Sequence, residues 1–208
     1  MAQRSVRLSG GLVGLTMLIG AANSMGFIQL LAGPLEGISN LSVQVLAIQT
    51  TTMAAPLFVA LLLLLKEGPE LVSQGARLAQ RRPHWLWRRW QQQARWLIPT
   101  AIGLVPYLLA AAMFAATLTK PELNTIAELR FLSGSLNPGI LGLALIKTSL
   151  FVAMILWITL QQGWRARRLD LQAGAALSRA ISFSIALVVG ADLAWVLLLD
   201  PSVSGWVG

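Results

Sequence analysis

Residues 53–66 read MAAPLFVALLLLLK, an apolar run that closes on five leucines and a lysine. With the ten residues before it, this run forms an uncharged segment from Val43 to Leu65. An α-helix needs about 20 predominantly apolar residues to cross the hydrocarbon of a bilayer. An uncharged segment of this length is typical of a membrane helix. The stretch therefore predicts an integral membrane protein.

Four further segments show the same pattern, and the whole composition agrees with it. Of the 208 residues, 56% are hydrophobic and 12% are charged, whereas a soluble domain carries about 25% charged residues. We therefore expect an all-α bundle of five transmembrane helices that forms a single domain, 1–208. The predicted spans cover about residues 8–32, 43–65, 97–119, 138–160 and 178–199.

The basic residues predict how the spans are oriented. Thirteen of them flank the spans on one side: two precede span one, seven lie in the loop 66–96 and four lie between spans four and five. On the opposite side there are only Lys120 and Arg130. Cytoplasmic loops retain Lys and Arg. We therefore expect a cytoplasmic N-terminus and an external C-terminus, in a multi-pass protein of a bacterial inner (cytoplasmic) or thylakoid-type membrane.

The N-terminus allows one alternative. Arg4 and Arg7, an apolar run and the small residues Ala21 and Ala22 resemble a secretory signal peptide. Apolar character continues as far as Leu31, which favours a retained span. Cleavage would leave four spans with the remaining topology unchanged.

Tryptophan and arginine alternate in the cytoplasmic loop 66–96 and again after span four. Tryptophan favours the headgroup layer, and neighbouring arginines attract anionic lipid. The pattern predicts an interfacial helix between spans two and three; a docking surface for an acidic protein is the alternative. Nucleic acid is not an expected partner, because orientation already accounts for the basic residues. The predicted contact residues are Trp85, Trp87, Arg88, Arg89, Trp90, Arg95, Trp96, Trp164, Arg165, Arg167 and Arg168.

Lys147 lies near the middle of predicted span four, and Asp192 lies near the middle of predicted span five. With a rise of 1.5 Å per residue, they lie about 3 and 5 Å to the outer side of the middle of their spans. Burying either charge alone in hydrocarbon is costly. The matching heights predict a Lys147–Asp192 ion pair, which either fixes helix register or takes part in a proton or ion relay.

Other polar side chains fall at similar heights and form a candidate polar pocket. The alternative for these residues is hydrogen bonding that holds helices together, since Gly10, Gly14, Ala22 and Gly26 give span one small faces suited to close packing. The candidate pocket residues are Asn23, Gln29, Gln49, Thr51 and Tyr107.

Few residues are available for catalysis or metal binding. The chain has no cysteine and a single histidine, His84, so we expect no metal site, no cofactor and no catalytic residues. The carboxylates Glu122, Glu128 and Asp200 are expected to be solvated in outer loops. The expected function is a non-catalytic membrane subunit or assembly factor that binds other membrane proteins. The alternative is a small permease that uses Lys147 and Asp192.

Overall fold

The computed structural model contains six α-helices. It describes residues 10–32, 34, 39–80, 84–119, 124–169 and 173–199. In these residues all regular secondary structure is helical. The helices are α1 (Gly10–Ala32), α2 (Asn40–Arg77), α3 (His84–Thr119), α4 (Thr125–Ser135), α5 (Pro138–Arg168) and α6 (Ala173–Leu199).

Five of the six helices, all except α4, are long and apolar enough to cross a membrane. The predicted all-α class is thereby confirmed, and so is the number of helices long and apolar enough to span a membrane. The first span lies within α1, which the structure describes from Gly10. The remaining four lie within α2, α3, α5 and α6.

Three helices are much longer than the spans predicted within them. α2 has 38 residues, α3 has 36 and α5 has 31. At 1.5 Å per residue α2 measures about 57 Å, against a hydrocarbon thickness of about 30 Å. The apolar run in α2 ends at Lys66, but the helix continues for a further eleven residues to Arg77. Extending an existing helix is far easier than starting one, so α2 continues through Gly68 and Pro69 despite their low helix propensity.

The described residues of the predicted loop 66–96 are the end of α2, a turn and the start of α3, and the interfacial position of the Trp/Arg-rich helix stays a prediction. Residues 70–77 are the last turns of α2. The Trp/Arg segment from His84 to Trp96 forms the first turns of α3, continuous with the third span. Residues 78–80 form a turn, and 81–83 lie outside the described residues.

The chain divides into two compact units. Unit 1 comprises residues 1–62 and 96–150, and unit 2 comprises residues 63–95 and 151–208. Helices α1 and α4 belong to unit 1 and α6 belongs to unit 2, while α2, α3 and α5 contribute residues to both. The single-domain organisation stays a prediction.

The core of unit 1 draws on four helices. Its buried side chains come from α1, α2, α3 and α4, and the backbones of α1 and α3 also meet directly. A Cβ atom on Gly20 would overlap the backbone carbonyl of Leu108, so only glycine permits this approach. The buried cluster consists of Ile28, Val43, Ala47, Ile48, Ala116 and Leu132.

Helix α4 is an amphipathic element in a segment that the sequence predicts to be an outer loop. It begins after Asn124, whose side chain accepts a hydrogen bond from the backbone N–H of Ile126, as an N-cap residue does. Glu128 and Leu132, one turn apart on the same side of α4, are its buried residues. Leu132 joins the core cluster of unit 1.

In unit 2 the helices approach closely where glycine replaces a side chain. A Cβ on Gly75 of α2 would overlap the carbonyl oxygen of Leu160, and a Cβ on Gly163 of α5 would overlap that of Val72. The two helices thus cross with each glycine against the other backbone, as in small-residue packing of membrane helices. Val72 also joins the buried cluster that contains Ala166, Ala176 and Ala180.

Gly163→Ala should destabilise the protein, because the added methyl group forces α2 and α5 apart or distorts one backbone. Overpacking of this kind typically costs about 1–3 kcal/mol. The measurement is the thermal unfolding midpoint of the purified protein in detergent. Gly142→Ala, on the same helix but with open space around the new Cβ, is the control and should leave the midpoint unchanged or raised. Equal midpoints for the two variants would contradict the described crossing.

Candidate functional site

Unit 1 buries several polar side chains in an otherwise apolar interior. Glu128 has 0% of its surface exposed, Gln44 has 1% and Lys147 has 6%. Thr51, Thr52 and Thr148 are buried as well. Charged groups at membrane depth are expensive and are usually retained for a specific interaction or function. These buried side chains are the candidate polar site of unit 1.

Two hydrogen bonds at this site connect neighbouring helices. The amide of Asn23 on α1 donates to the hydroxyl oxygen of Thr51 on α2 over 3.1 Å. Thr51 in turn donates to the carbonyl of Ala47 in its own helix. The amide of Gln44 donates to the backbone carbonyl of Ala116 on α3 over 3.2 Å. Interhelical bonds of this type hold membrane helices in register.

The five residues of the candidate polar pocket are distributed unequally. Asn23 and Thr51 are in contact, as described, and Gln49 is half-buried. Gln29 and Tyr107 are exposed on α1 and α3. The structure therefore brings together two of the five predicted pocket residues. Gln44, which was not predicted, forms a second interhelical hydrogen bond from the first turns of α2.

Glu128 corrects an expectation drawn from the sequence, because its side chain is not solvated. The reason is the amphipathic helix α4, which turns the side of Glu128 and Leu132 towards the interior of unit 1. The N-cap residue Asn124 and leucines at 129, 132 and 136 were the sequence signal that identifies such a helix. Glu122 and Asp200 lie outside the described residues.

Lys147 and Asp192 belong to different units, Lys147 to unit 1 and Asp192 to unit 2. Lys147 is buried and Asp192 is half-buried. The predicted ion pair between them stays a prediction.

Unit 2 contains a cluster of tryptophans through which α3 packs against α5. The rings of Trp87 and Trp90 stack with their centroids 4.6 Å apart, and Trp157 meets Trp87 edge-on at 6.0 Å. The indole N–H of Trp90 donates to the carbonyl oxygen of Ala153 over 3.0 Å. Trp90 is therefore an internal packing residue, whereas half of the Trp87 surface remains exposed.

Arg89 is held by neutral amides. Its Nε donates to the side-chain oxygen of Gln74 on α2, and its Nη1 donates to that of Gln92. Gln93 donates to the same oxygen of Gln74. The network joins α2 to α3 in unit 2. The Trp/Arg pattern predicts Arg89 at the membrane surface, and it does not predict a role for the three glutamines.

Most of the remaining predicted contact residues are exposed. Arg88 lies over the ring of Trp85 at 5.6 Å, and Arg168 lies over the ring of Trp164 at 4.0 Å. Trp96, the first residue of α3 that belongs to unit 1, is exposed. Arg95, Arg165 and Arg167 are also exposed.

Trp164 differs from the other tryptophans in one respect. Its indole nitrogen is buried and has no hydrogen-bond partner in the part of the chain that the structure describes. Leaving a buried N–H group without an acceptor costs about 1–3 kcal/mol. Such a group calls for an explanation at each occurrence.

The architecture and the distribution of apolar residues define a multi-pass helical membrane protein. Comparison with protein-family models, curated proteins and solved structures gives no match. In the described ranges, no group of three or more His, Cys, Asp or Glu residues is placed to hold a metal ion.

The burial of Glu128 is testable by cysteine labelling, because the chain contains no cysteine of its own. In the detergent-solubilised protein, Arg130→Cys should react rapidly with a polar maleimide, since residue 130 is exposed. Leu132→Cys and Glu128→Cys should react at least tenfold more slowly, as expected for buried thiols. The readout is the mass shift over time. Equal labelling at all three positions would place α4 on the surface, against the described packing.

Proposed function

We propose that this protein is a non-catalytic membrane subunit or assembly factor that binds another membrane protein through α6. The observation that carries the proposal is the exposure of α6. Of the residues in its most apolar stretch, 22% are buried, against 61% for α3. A spanning helix with so little internal contact is available to a partner helix or to lipid.

The pattern of exposed residues on α6 favours a partner helix. On one side of α6, small residues recur at every fourth position from Ser178 to Ala194, and all of these small residues are exposed. The opposite ladder, from Ala176 through Ala180 and Ser184 to Val188, is buried inside unit 2. Lipid contact does not require small side chains, whereas close approach of two membrane helices does. The exposed ladder consists of Ser178, Ser182, Ala186, Gly190 and Ala194.

The charge distribution supports the orientation proposed for the chain, with the N-terminus in the cytoplasm and the C-terminus outside. Among the described residues, unit 1 contains only Arg130 and Lys147 as basic residues. The other described basic residues all belong to unit 2. Because cytoplasmic loops retain Lys and Arg, we propose that the basic end lies in the cytoplasm. The proposed location is a bacterial inner or thylakoid-type membrane.

The surplus length of the helices fits the same orientation. The parts of α2, α3 and α5 beyond their predicted spans are residues 66–77, 84–96 and 161–168, and nearly all of them belong to unit 2. These helix ends carry the exposed arginines and tryptophans, which would contact anionic headgroups and extend into the cytoplasm. Orientation accounts for these charges, so we propose no nucleic-acid partner.

A second candidate function is a small permease, and the buried ionisable residues of unit 1 favour it. Lys147 and Glu128 are both almost fully buried, together with the amide of Gln44. A buried charge is a functional candidate in any membrane protein. The two functions differ in whether α6 contacts a specific protein partner or lipid alone.

Photo-crosslinking from α6 separates these functions. A photoreactive amino acid at position 186 or 190, incorporated in the native membrane, should yield one discrete protein adduct, because the proposed partner helix lies against this face. The measurement is denaturing electrophoresis followed by mass spectrometry of the adduct.

The matched control carries the same photoreactive residue at position 114 of α3, where Phe114 is 53% exposed. This site should give lipid adducts without the discrete protein band. Lipid adducts alone at all three positions would reject the subunit function and favour the permease.

A further inference from the structure

We propose that Trp164 and Arg168 form a binding site for the phosphate group of an anionic phospholipid. This inference does not require a protein partner on α6, but it rests on the proposed contact of the long helix ends with anionic headgroups. The observation behind it is the indole N–H of Trp164, which is buried without an acceptor among the described residues. The guanidinium of Arg168 lies over the indole ring that carries this unused donor.

The two donors lie close enough to share one anion. Arg168 follows Trp164 by one helical turn, and a side chain on a helix leans towards the preceding turn. The guanidinium carbon of Arg168 is 4.0 Å from the centre of the Trp164 ring. One phosphate group, with several acceptor oxygens, spans the distance between a guanidinium and the edge of the ring beneath it. Phosphate also matches the planar fork of arginine donors.

The surroundings fix Trp164 and leave Arg168 able to move. The backbone of Trp164 lies at the crossing of α2 and α5, against Gly75. Arg168 is exposed, so its side chain can shift and admit an oxygen to the indole. Two further exposed arginines, Arg165 and Arg167, add positive charge on the same turn of α5.

The position along α5 identifies the phosphate as that of a lipid. Trp164 lies four residues beyond the end of the predicted span at Leu160, about 6 Å along the helix. The headgroup layer occupies about this distance outside the hydrocarbon. An acceptor at this depth is therefore the phosphate of a phospholipid, and anionic lipid is favoured by the surrounding arginines.

The test is native mass spectrometry of the purified full chain equilibrated with phosphatidylglycerol or with phosphatidylcholine. Arg168→Gln should lower the occupancy of phosphatidylglycerol about fivefold, the loss expected for one basic residue near a lipid surface. Trp164→Phe, which keeps the ring and removes the N–H, should lower it about threefold or more. Both variants should retain the helical circular dichroism of the parent protein.

Arg88→Gln is the matched control, because Arg88 also lies over a tryptophan, Trp85, in unit 2. It should leave phosphatidylglycerol occupancy within error of the parent. Equal losses in Arg88→Gln and Arg168→Gln, or no loss in Trp164→Phe, would overturn the site. Inorganic phosphate titrated into the protein in phosphatidylcholine nanodiscs provides a second arm. Binding heat that Arg168→Gln abolishes would assign the site to free phosphate and reject the lipid.

Discussion

The hydrocarbon of the bilayer offers no partner to a backbone N–H or C=O group, so each spanning segment must satisfy its own hydrogen bonds as a helix. Five helices of the described chain meet this requirement, and the other features follow from it. Because lipid is as apolar as leucine, burying apolar surface does not hold these helices together. Close packing and polar contacts do so instead. Glycines at 20, 75 and 163 permit backbone contact, and Asn23 and Gln44 supply interhelical hydrogen bonds.

The same requirement gives the two units different chemistry. Unit 1 contains buried polar side chains, and two of these, Glu128 and Lys147, are ionisable. Unit 2 contains most of the described basic residues, and these surround tryptophans and the surplus ends of long helices. Internal polar contacts suit helices in lipid, whereas exposed arginine and tryptophan suit a headgroup layer and water. The proposed subunit function uses the exposed span α6, and the proposed lipid site uses the last turns of α5.

Hydropathy predicted the number and order of the spans, since uncharged runs such as Val43 to Leu65 have few explanations outside a bilayer. It did not predict where the helices end. Hydropathy marks the edge of the apolar run at Lys66, but α2 continues to Arg77 because extending an existing helix needs no new nucleus. The 11-residue helix α4 was missed because it is too short for a hydropathy window, and Glu128 was missed with it. The pairing of Asn23 with Thr51 and the unused N–H of Trp164 depend on tertiary packing, which spacing alone does not determine.

Orientation in the membrane is the central claim of the proposed topology, because it decides which end of the long helices meets the cytoplasm. Single-cysteine labelling with a membrane-impermeant maleimide in intact cells tests it most directly, and the natural chain contributes no background thiol. Arg130→Cys should be labelled in intact cells, and Arg88→Cys only after permeabilisation. Labelling of Arg88→Cys in intact cells, with Arg130→Cys protected until permeabilisation, would contradict the account.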